Sequence, residues 1–306
     1  MLSPVPPDPA ILVDWGTSRL RAFLYQAGPV VARIDGPGIG ALTSPPLAIL
    51  QVALKPWLES HAGIRVFVCG MGGSRNGILE VPYVRAPAGA ALWRRGAALL
   101  SAAGTEFRVA AGLRGENLAG APDVMRGEEA QIFGALARHA ELAHGRHVFV
   151  LPGTHSKWAR IEDGTVTCLH TVFTGELYEL LLSHSILMKA GTPEGEASGG
   201  FDCGLKRAVT SPAGLLGSLF EARSAQLVLD RSRAWAQAFL SGLLIGTEVM
   251  QMAAGFGQPA GVVLVGSPDL CARYHEALVR VGINTRLLDG DECVIAGLVA
   301  LSAADH

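Results

Sequence analysis

Two stretches of this chain have the same shape, and that repeat constrains the fold more than any other feature. "ILVDWGTSRLRAFLY" (residues 11–25) runs branched aliphatics into an aspartate, a Gly-Thr turn and a second apolar-alternating segment. "VFVLPGTHSKWARI" (148–161) does the same, with Gly153-Thr154 standing 137 residues after Gly16-Thr17. Each is followed by a second turn and a third alternating run: "QAGP" then "VVARI", and "EDGT" then "VTCLHTV". Period-2 alternation punctuated by Gly, Asp and Pro predicts a three-strand meander in each half. Gly164 follows Gly28 by 136 residues, so one deletion separates the copies. Two such turns in one chain suggest two halves facing one ligand.

Beyond each meander the pattern changes to helices alternating with single strands, the signature of an α/β chain. "PPLAILQVALKPWLESH" and "GAALWRRGAALLSAAG" read as helices around the strand "IRVFVCG", with "FRVAAGL" the next strand. In the second half "GELYELLLSHSILMKAG" and "RAWAQAFLSGLLIGTEVMQMAAGF" read as helices, followed by strand and helix in "GVVLVGSPDLCARYHEALVRVG" and again in "INTRLL" and "ECVIAGLVALSAAD". Gly104 to Asp123 and Thr192 to Ser211 read as loops. The expected division is a disordered proline-rich tail (1–9), an N-terminal domain (10–140) and a C-terminal domain (141–306), with the boundary near "ARHAELAHGRH".

With 49% hydrophobic and 17% charged residues, 306 positions can bury the cores of two such domains. A net charge of −2 gives no bulk electrostatic case for nucleic acid or an anionic membrane as partner. No run of 18 consecutive apolar residues occurs, and "MLSPVPPDPA" lacks the regions of a signal peptide, so a cytoplasmic location is expected. The five cysteines form no C-x-x-C or zinc spacing and read as reduced thiols.

A Gly-Thr turn between strands exposes backbone N–H groups and a hydroxyl, which suits phosphate oxygens, and a neighbouring carboxylate such as Asp14 suits hydrated Mg²⁺. Asp before a turn is also ordinary turn chemistry. The second turn offers Gly153, Thr154 and His155 without a carboxylate, and adds Lys157. Such a pair resembles the phosphate loops of the sugar kinase, Hsp70 and actin superfamily. Gly266 and Ser267 turn a buried strand into a helix; the superfamily's adenosine contact sits at such a turn, while Ser as N-cap with Pro268 at N1 explains it without a ligand. Gly242 and Gly246, four apart on one helix face, read first as close helix packing. Arg126, Glu128 and Glu129 open a helix with Ile132, Phe133 and Leu136 on its apolar face. Acidic residues there suit the helix dipole, and equally a catalytic base beside a basic group. Met71, Gly72, Gly73, Ser74 and Arg75 leave a strand as a backbone-lined substrate loop or a plain flexible turn would.

Taken together, "DWGTSRLRAFLY", "GMGGS", "VMRGEEAQIFGA", "LPGTHSKW", "TVFTGELYELLLSHS" and "FLSGLLIGTEV" resemble one family, the 2-dehydro-3-deoxygalactonokinases (2-keto-3-deoxy-galactonate kinases), in order and spacing from Ala10 onward. The resemblance implies the two-domain sugar kinase/Hsp70/actin-like (ribonuclease H-like) fold with a cleft between the domains. It also implies transfer of the ATP γ-phosphoryl group to the 6-hydroxyl of 2-dehydro-3-deoxy-D-galactonate, with Mg²⁺ as cofactor, in galactonate breakdown. On that basis Asp14 holds the hydrated metal at the reacting centre with Arg126, Glu128 and Glu129. Gly16, Thr17, Ser18, Arg19, Gly153, Thr154, His155 and Lys157 meet phosphates, Gly266 and Ser267 meet adenosine, and Met71–Arg75 with Arg21 meet the sugar acid. Its carboxylate needs a cationic or amide partner, for which Arg19, Arg21, Arg75 and Arg126 are candidates. The partners expected are thus ATP and a small sugar acid, and a homodimer is compatible with this reading.

A kinase of another small sugar on the same fold is the nearest alternative, since fold fixes ATP use and not the acceptor. An actin- or Hsp70-like switch protein is a second; no peptide-binding domain or filament insertion is legible. An NAD-dependent oxidoreductase lacks its G-x-G-x-x-G after the first strand.

Overall fold

The computed structural model describes residues 9–190, 192 and 195–302, so residues 1–8 of the expected tail lie outside the described residues. The first meander forms as expected: β1 (Ala10–Trp15), β2 (Arg19–Tyr25) and β3 (Val30–Pro37) pair antiparallel in sequence order, with Asp14 opposite Arg21. Helix α1 (Pro46–Ser60) leads to β4 (Arg65–Gly70), parallel to β1. Then come β5 (Val84–Arg85), β6 (Ala88–Gly89), α2 (Ala90–Arg95), β7 (Ala98–Ala102), β8 (Thr105–Val109), β9 (Leu113–Glu116), β10 (Pro122–Met125) and α3 (Glu128–Arg138). One sheet runs β3-β2-β1-β4-β8-β7 and a small one β10-β9-β5.

The second meander is β11 (Arg146–Leu151), β12 (Ser156–Glu162) and β13 (Thr165–Val172). Helices α4 (Thr174–His184), α5 (Gly200–Thr210), α6 (Gly214–Ser218), α7 (Glu221–Val228) and α8 (Arg233–Gly255) follow, then β14 (Gly261–Gly266), α9 (Pro268–Arg280), β15 (Asn284–Asp289) and α10 (Gly290–Ser302). The third sheet runs β15-β14-β11-β12-β13-β6. Among the described residues, contacts group 9–147, 159–170 and 288–302 into one compact unit, and those of 148–158 and 171–287 into another.

β1 is buried along its whole length because both its edges are paired. Alternation splits its side chains between two layers. Ile11, Val13 and Trp15 join Leu50 and Leu54 of α1 in one core, while α10 packs on β1 and β4 from the side of Leu12 and Asp14. Helix α3 lies against α10 at almost touching backbones: a Cβ at Gly134 would stand 1.8 Å from the Cys293 carbonyl oxygen, and one at Gly297 2.0 Å from that of Ala130. In the other unit α5 and α8 meet in the same way. A Cβ at Gly242 would stand 2.1 Å from the Phe201 carbonyl oxygen and one at Gly246 2.8 Å from the Ala208 Cβ, so these glycines are packing surface. By length and composition α8 could cross a membrane, yet 67% of its most apolar window is buried in this fold, as in the core helix of a globular unit.

Three sequence expectations need correction. The stretch 89–104 is not one helix: α2 stops at Arg95, Gly96 packs where a Cβ would lie 2.4 Å from the Val84 side chain, and 98–109 form a β-hairpin. Its turn, Ala103-Gly104, has positive φ at both residues, the geometry that joins antiparallel strands in two residues. Of residues 104–123, expected as loop apart from the strand in "FRVAAGL", β8 forms at Thr105–Val109, and β9 and the start of β10 form where loop was expected. Residues 192–211, also expected as loop, include α5, whose glycines at 200 and 204 serve contact with α8; residues 193 and 194 of that stretch lie outside the described residues.

Candidate active site

The first Gly-Thr turn is closed by the Gly16 amide donating to the Arg19 carbonyl at 2.8 Å. Its carbonyls turn inward, Gly16 O accepting from Ile39 and Thr17 O from Gly40. Thr17 and Ser18 are exposed, and their amides donate to no acceptor among the described residues. Beneath the turn, Asp14 accepts a hydrogen bond from Arg21, its cross-strand neighbour. Arg21 also donates to Asp291 at the start of α10, and Arg33 bonds Asp291 and Asp35 at 2.7 Å each. Burial alone would lower the Arg21 guanidinium's pKa; Asp14 and Asp291 hold it above its usual value. Three carboxylates thus share two guanidiniums, and Arg19 acts on Asp35 as well.

The glycine loop after β4 packs against this cluster. Gly70 has φ +75°, and a Cβ there would lie 2.6 Å from the Trp15 carbonyl oxygen. The carbonyls of Met71, Gly72 and Gly73 accept from the amides of Ser74, Ile78 and Val81, so the loop is a folded unit and not a flexible turn. Ser74 Oγ donates to the Met71 carbonyl at 2.8 Å. Gly127, preceding α3, has φ +115° and approaches the Gly70 Cα at 3.2 Å counted from an added Cβ. Arg126 stacks on the Tyr83 ring at 4.1 Å and donates from Nη2 to the Val81 carbonyl at 2.9 Å. Glu128, half-buried, accepts from the Arg126 amide, and Glu129, fully buried, from the Gly127 amide at 2.7 Å. The other Glu129 oxygen is buried without a partner. Burial first, then the charge of Glu128, raises the Glu129 pKa to about 8. Cys69, whose thiol burial holds well above its ordinary range, donates toward Asp14.

In the other unit the second Gly-Thr turn is fastened from behind. Among the described residues the amides of Gly153 and Thr154 donate to no acceptor, while the Thr154 carbonyl accepts from the Glu176 amide at 2.8 Å. Gly175 lies so close that a Cβ would stand 2.3 Å from the Gly153 carbonyl oxygen. His155 bonds Glu176 and stacks on Phe173, ring centroids 5.2 Å apart. Lys157 does not project from the turn; it is buried in β12 with Nζ donating to Thr171 at 2.8 Å. Glu248, buried on α8, accepts from Trp158 Nε1 at 2.8 Å and Tyr274 Oη at 2.6 Å, and bonds to Thr174 and Ser156 lie in the same network. Burial raises its pKa against those bonds. Beside the turn, a Cβ at Gly266 would lie 3.6 Å from the Pro152 carbonyl oxygen. Ser267 occupies the N-cap of α9 with Pro268 after it, but its hydroxyl makes no cap bond.

Of the sequence candidates, Asp14, Met71–Ser74, Arg126, Glu128 and Glu129 come together in one unit, and Gly153–His155 with Gly266 in the other. Arg75 stands apart, its side chain 86% exposed beside Glu80. Sequence reading did not find Tyr83, Cys69 or Asp291, nor the roles of Phe173, Gly175, Glu176 and Glu248. For Gly175 and Glu176 the "TGEL" string was the available signal.

Comparison with known proteins adds an independent line. The family model described as 2-keto-3-deoxy-galactonokinase matches residues 14–301. The 2-dehydro-3-deoxygalactonokinase of Escherichia coli K12 is 33% identical over 96% of this chain and 97% of its own length. A probable 2-dehydro-3-deoxygalactonokinase of Rhizobium meliloti is 36% identical over 95% and 96%. A solved structure of a 2-dehydro-3-deoxygalactonokinase candidate from Sinorhizobium meliloti superposes with a TM-score of 0.84 at 36% identity, covering 96% of this chain and 98% of that one. The α/β fold, with its three sheets, is that of the Sinorhizobium meliloti structure. The chain belongs to the 2-keto-3-deoxy-galactonokinase family.

Proposed function

We propose that this protein transfers the γ-phosphoryl group of ATP to the 6-hydroxyl of 2-dehydro-3-deoxy-D-galactonate, giving ADP and the 6-phosphate, in galactonate catabolism. The observation that carries the reading is the family match from residue 14 to 301, which takes in both Gly-Thr turns. Residues 10–140 are read as the half that takes the sugar acid and 141–306 as the half that takes adenosine, acting in the cytoplasm, with a homodimer as the assembly to test by light scattering.

Phosphoryl transfer asks a protein for positioning and charge neutralisation more than covalent chemistry. The unengaged amides of Thr17, Ser18, Gly153 and Thr154 suit phosphate oxygens, with Gly16, Arg19 and His155 completing the turns. Gly266 and Ser267 are assigned to the adenosine side, and Met71–Ser74 to the sugar acid. Lys157 and Arg21 act from beneath, ordering Thr171 and Asp14. The residues fit Mg²⁺ held through water. Among the described residues no group of three His, Cys, Asp or Glu could hold an ion, so a lone carboxylate, Asp14, would meet an ion whose other ligands are water and phosphate. When bound, that ion neutralises phosphate charge. The proton of the attacking hydroxyl is assigned to Glu128 or Asp14, while fully buried Glu129 braces the α3 start through Gly127.

ADP release measured with Mg-ATP and a panel of 2-keto-3-deoxy acids, aldonates and neutral sugars tests this. Turnover with 2-dehydro-3-deoxygalactonate far above that with glucose or glycerol is expected; equal rates with neutral hexoses overturn it.

A further inference from the structure

Four arginines were open as partners of the substrate carboxylate, and the structure separates them. Arg21 is engaged by Asp14 and Asp291. Arg75 lies in solvent beside Glu80. Arg19 is exposed on the first Gly-Thr turn, whose amides suit phosphate. Arg126 differs from all three: no carboxylate of the described residues pairs with it, and its Nε and Nη1 are closed to water with no hydrogen-bond acceptor. Its guanidinium is nevertheless fixed, by the Tyr83 ring on its face and the Val81 carbonyl on Nη2.

The positive charge of Arg126 acts on nearby Glu129, but two of its nitrogens are desolvated without an acceptor, and a group so held and so rigidly oriented gains most when an anion arrives. Guanidinium is the side chain suited to a carboxylate, through charge-assisted hydrogen bonds. Its position beside the substrate loop fits this: Nη1 lies 2.7 Å from where a Gly73 Cβ would stand, so only glycine leaves room for the group. The residue as a whole is half-buried, and because Nε and Nη1 are closed to water a carboxylate meets them only once the loop yields. We infer that Arg126 binds the carboxylate of the acceptor and thereby selects 2-keto-3-deoxy acids over neutral sugars of the same size. This rests on the sugar-acid kinase reading above, and it gives Arg126 a specificity role in place of a part in the chemical step.

The test compares the wild type, Arg126→Met and Arg126→Lys on 2-dehydro-3-deoxygalactonate and on its uncharged C1 amide, reading kcat/KM for each alongside the thermal unfolding midpoint. Arg126→Met should lower kcat/KM for the acid by about 100-fold or more, since a charge-assisted pair is lost. The amide, already a poor acceptor for the wild type, should be used about equally by both proteins. Arg126→Lys, which keeps charge and not geometry, should fall between. If folded Arg126→Met loses acid and amide activity in equal proportion, the inference fails and the proposed activity stands. If wild-type protein turns over no 2-keto-3-deoxy acid, the activity fails and this inference with it.

Discussion

Gly175 at the start of α4 abuts Gly153 in the second Gly-Thr turn, leaving no room for a single methyl group: an added Cβ would stand 2.3 Å from the Gly153 carbonyl oxygen and 2.8 Å from the Thr154 Cα. The contact is backbone on backbone, so no side chain can yield to relieve it. Gly175→Ala should therefore displace the turn itself. A rise of about tenfold or more in KM for ATP is expected with a smaller change in kcat, since the turn is assigned to binding phosphate. An unchanged ATP KM in a folded variant would release this turn from that assignment.

Asp14 is both the carboxylate beneath the first turn and a partner of Arg21. Asp14→Asn keeps the shape and removes the charge. Turnover should fall about 100-fold or more, and urea unfolding should show a loss of about 1–3 kcal/mol because a charged hydrogen bond weakens. Asparagine is equally at home in a turn, so near-normal kcat would mean that Asp14 is only a turn residue.

Glu129 carries a pH signature. Its folded pKa, about 8, lies above its ordinary value of 4.5, so the folded state keeps the proton that the unfolded state gives up. The stabilisation is fully present below pH 4.5 and is lost as pH rises towards 8. Relative to Glu129→Gln, which has no proton to lose, the wild type should fall in stability across that window, read as a pH-dependent difference in unfolding midpoint. A constant difference would show that Glu129 is ionised in the fold. Glu128→Gln should leave stability nearly unchanged and reduce kcat by about 100-fold if Glu128 takes the proton; equal mild losses in both variants would move the base to Asp14.

Tyr274 bridges Ser156, just past the second turn, to Glu248 at 2.6 Å on each side. Tyr274→Phe leaves a buried carboxylate and a buried hydroxyl each short of a partner. A loss of about 1–3 kcal/mol follows from the cost of unsatisfied buried groups, measurable by chemical denaturation. No loss of stability would show that the network is held by Trp158 and Thr174 alone.

Both meanders were legible because alternation and turn residues are local signals, and β1 to β3 and β11 to β13 follow them closely. The misreadings have a common cause. Ala- and Leu-rich 89–104 looks helical until a tertiary contact at Gly96 stops the helix, and glycine-rich 192–211 looks like loop until Gly204 is seen against α8. Local composition carries no record of what the chain will pack against. The candidate site divides in the same way. The Gly-Thr turns announce themselves by repetition and Asp14 by its place ahead of the first, whereas Asp291 reaches Arg21 across 270 residues of sequence and Tyr83 acquires its meaning only under Arg126.

That long-range bond makes the hairpin depend on a distant helix. The β1–β2 pairing is local, but the guanidinium that steadies Asp14 shares its charge with a carboxylate on α10, the last helix described. Helix α3, which carries Glu128 and Glu129, likewise finds its glycine-lined seat only on α10. A chain cut before Asp291 would hold every residue of the first Gly-Thr turn and still lack one of the two carboxylates that fix Arg21 beneath it. The ground under a turn formed by neighbouring residues is thus finished by a residue 270 positions away.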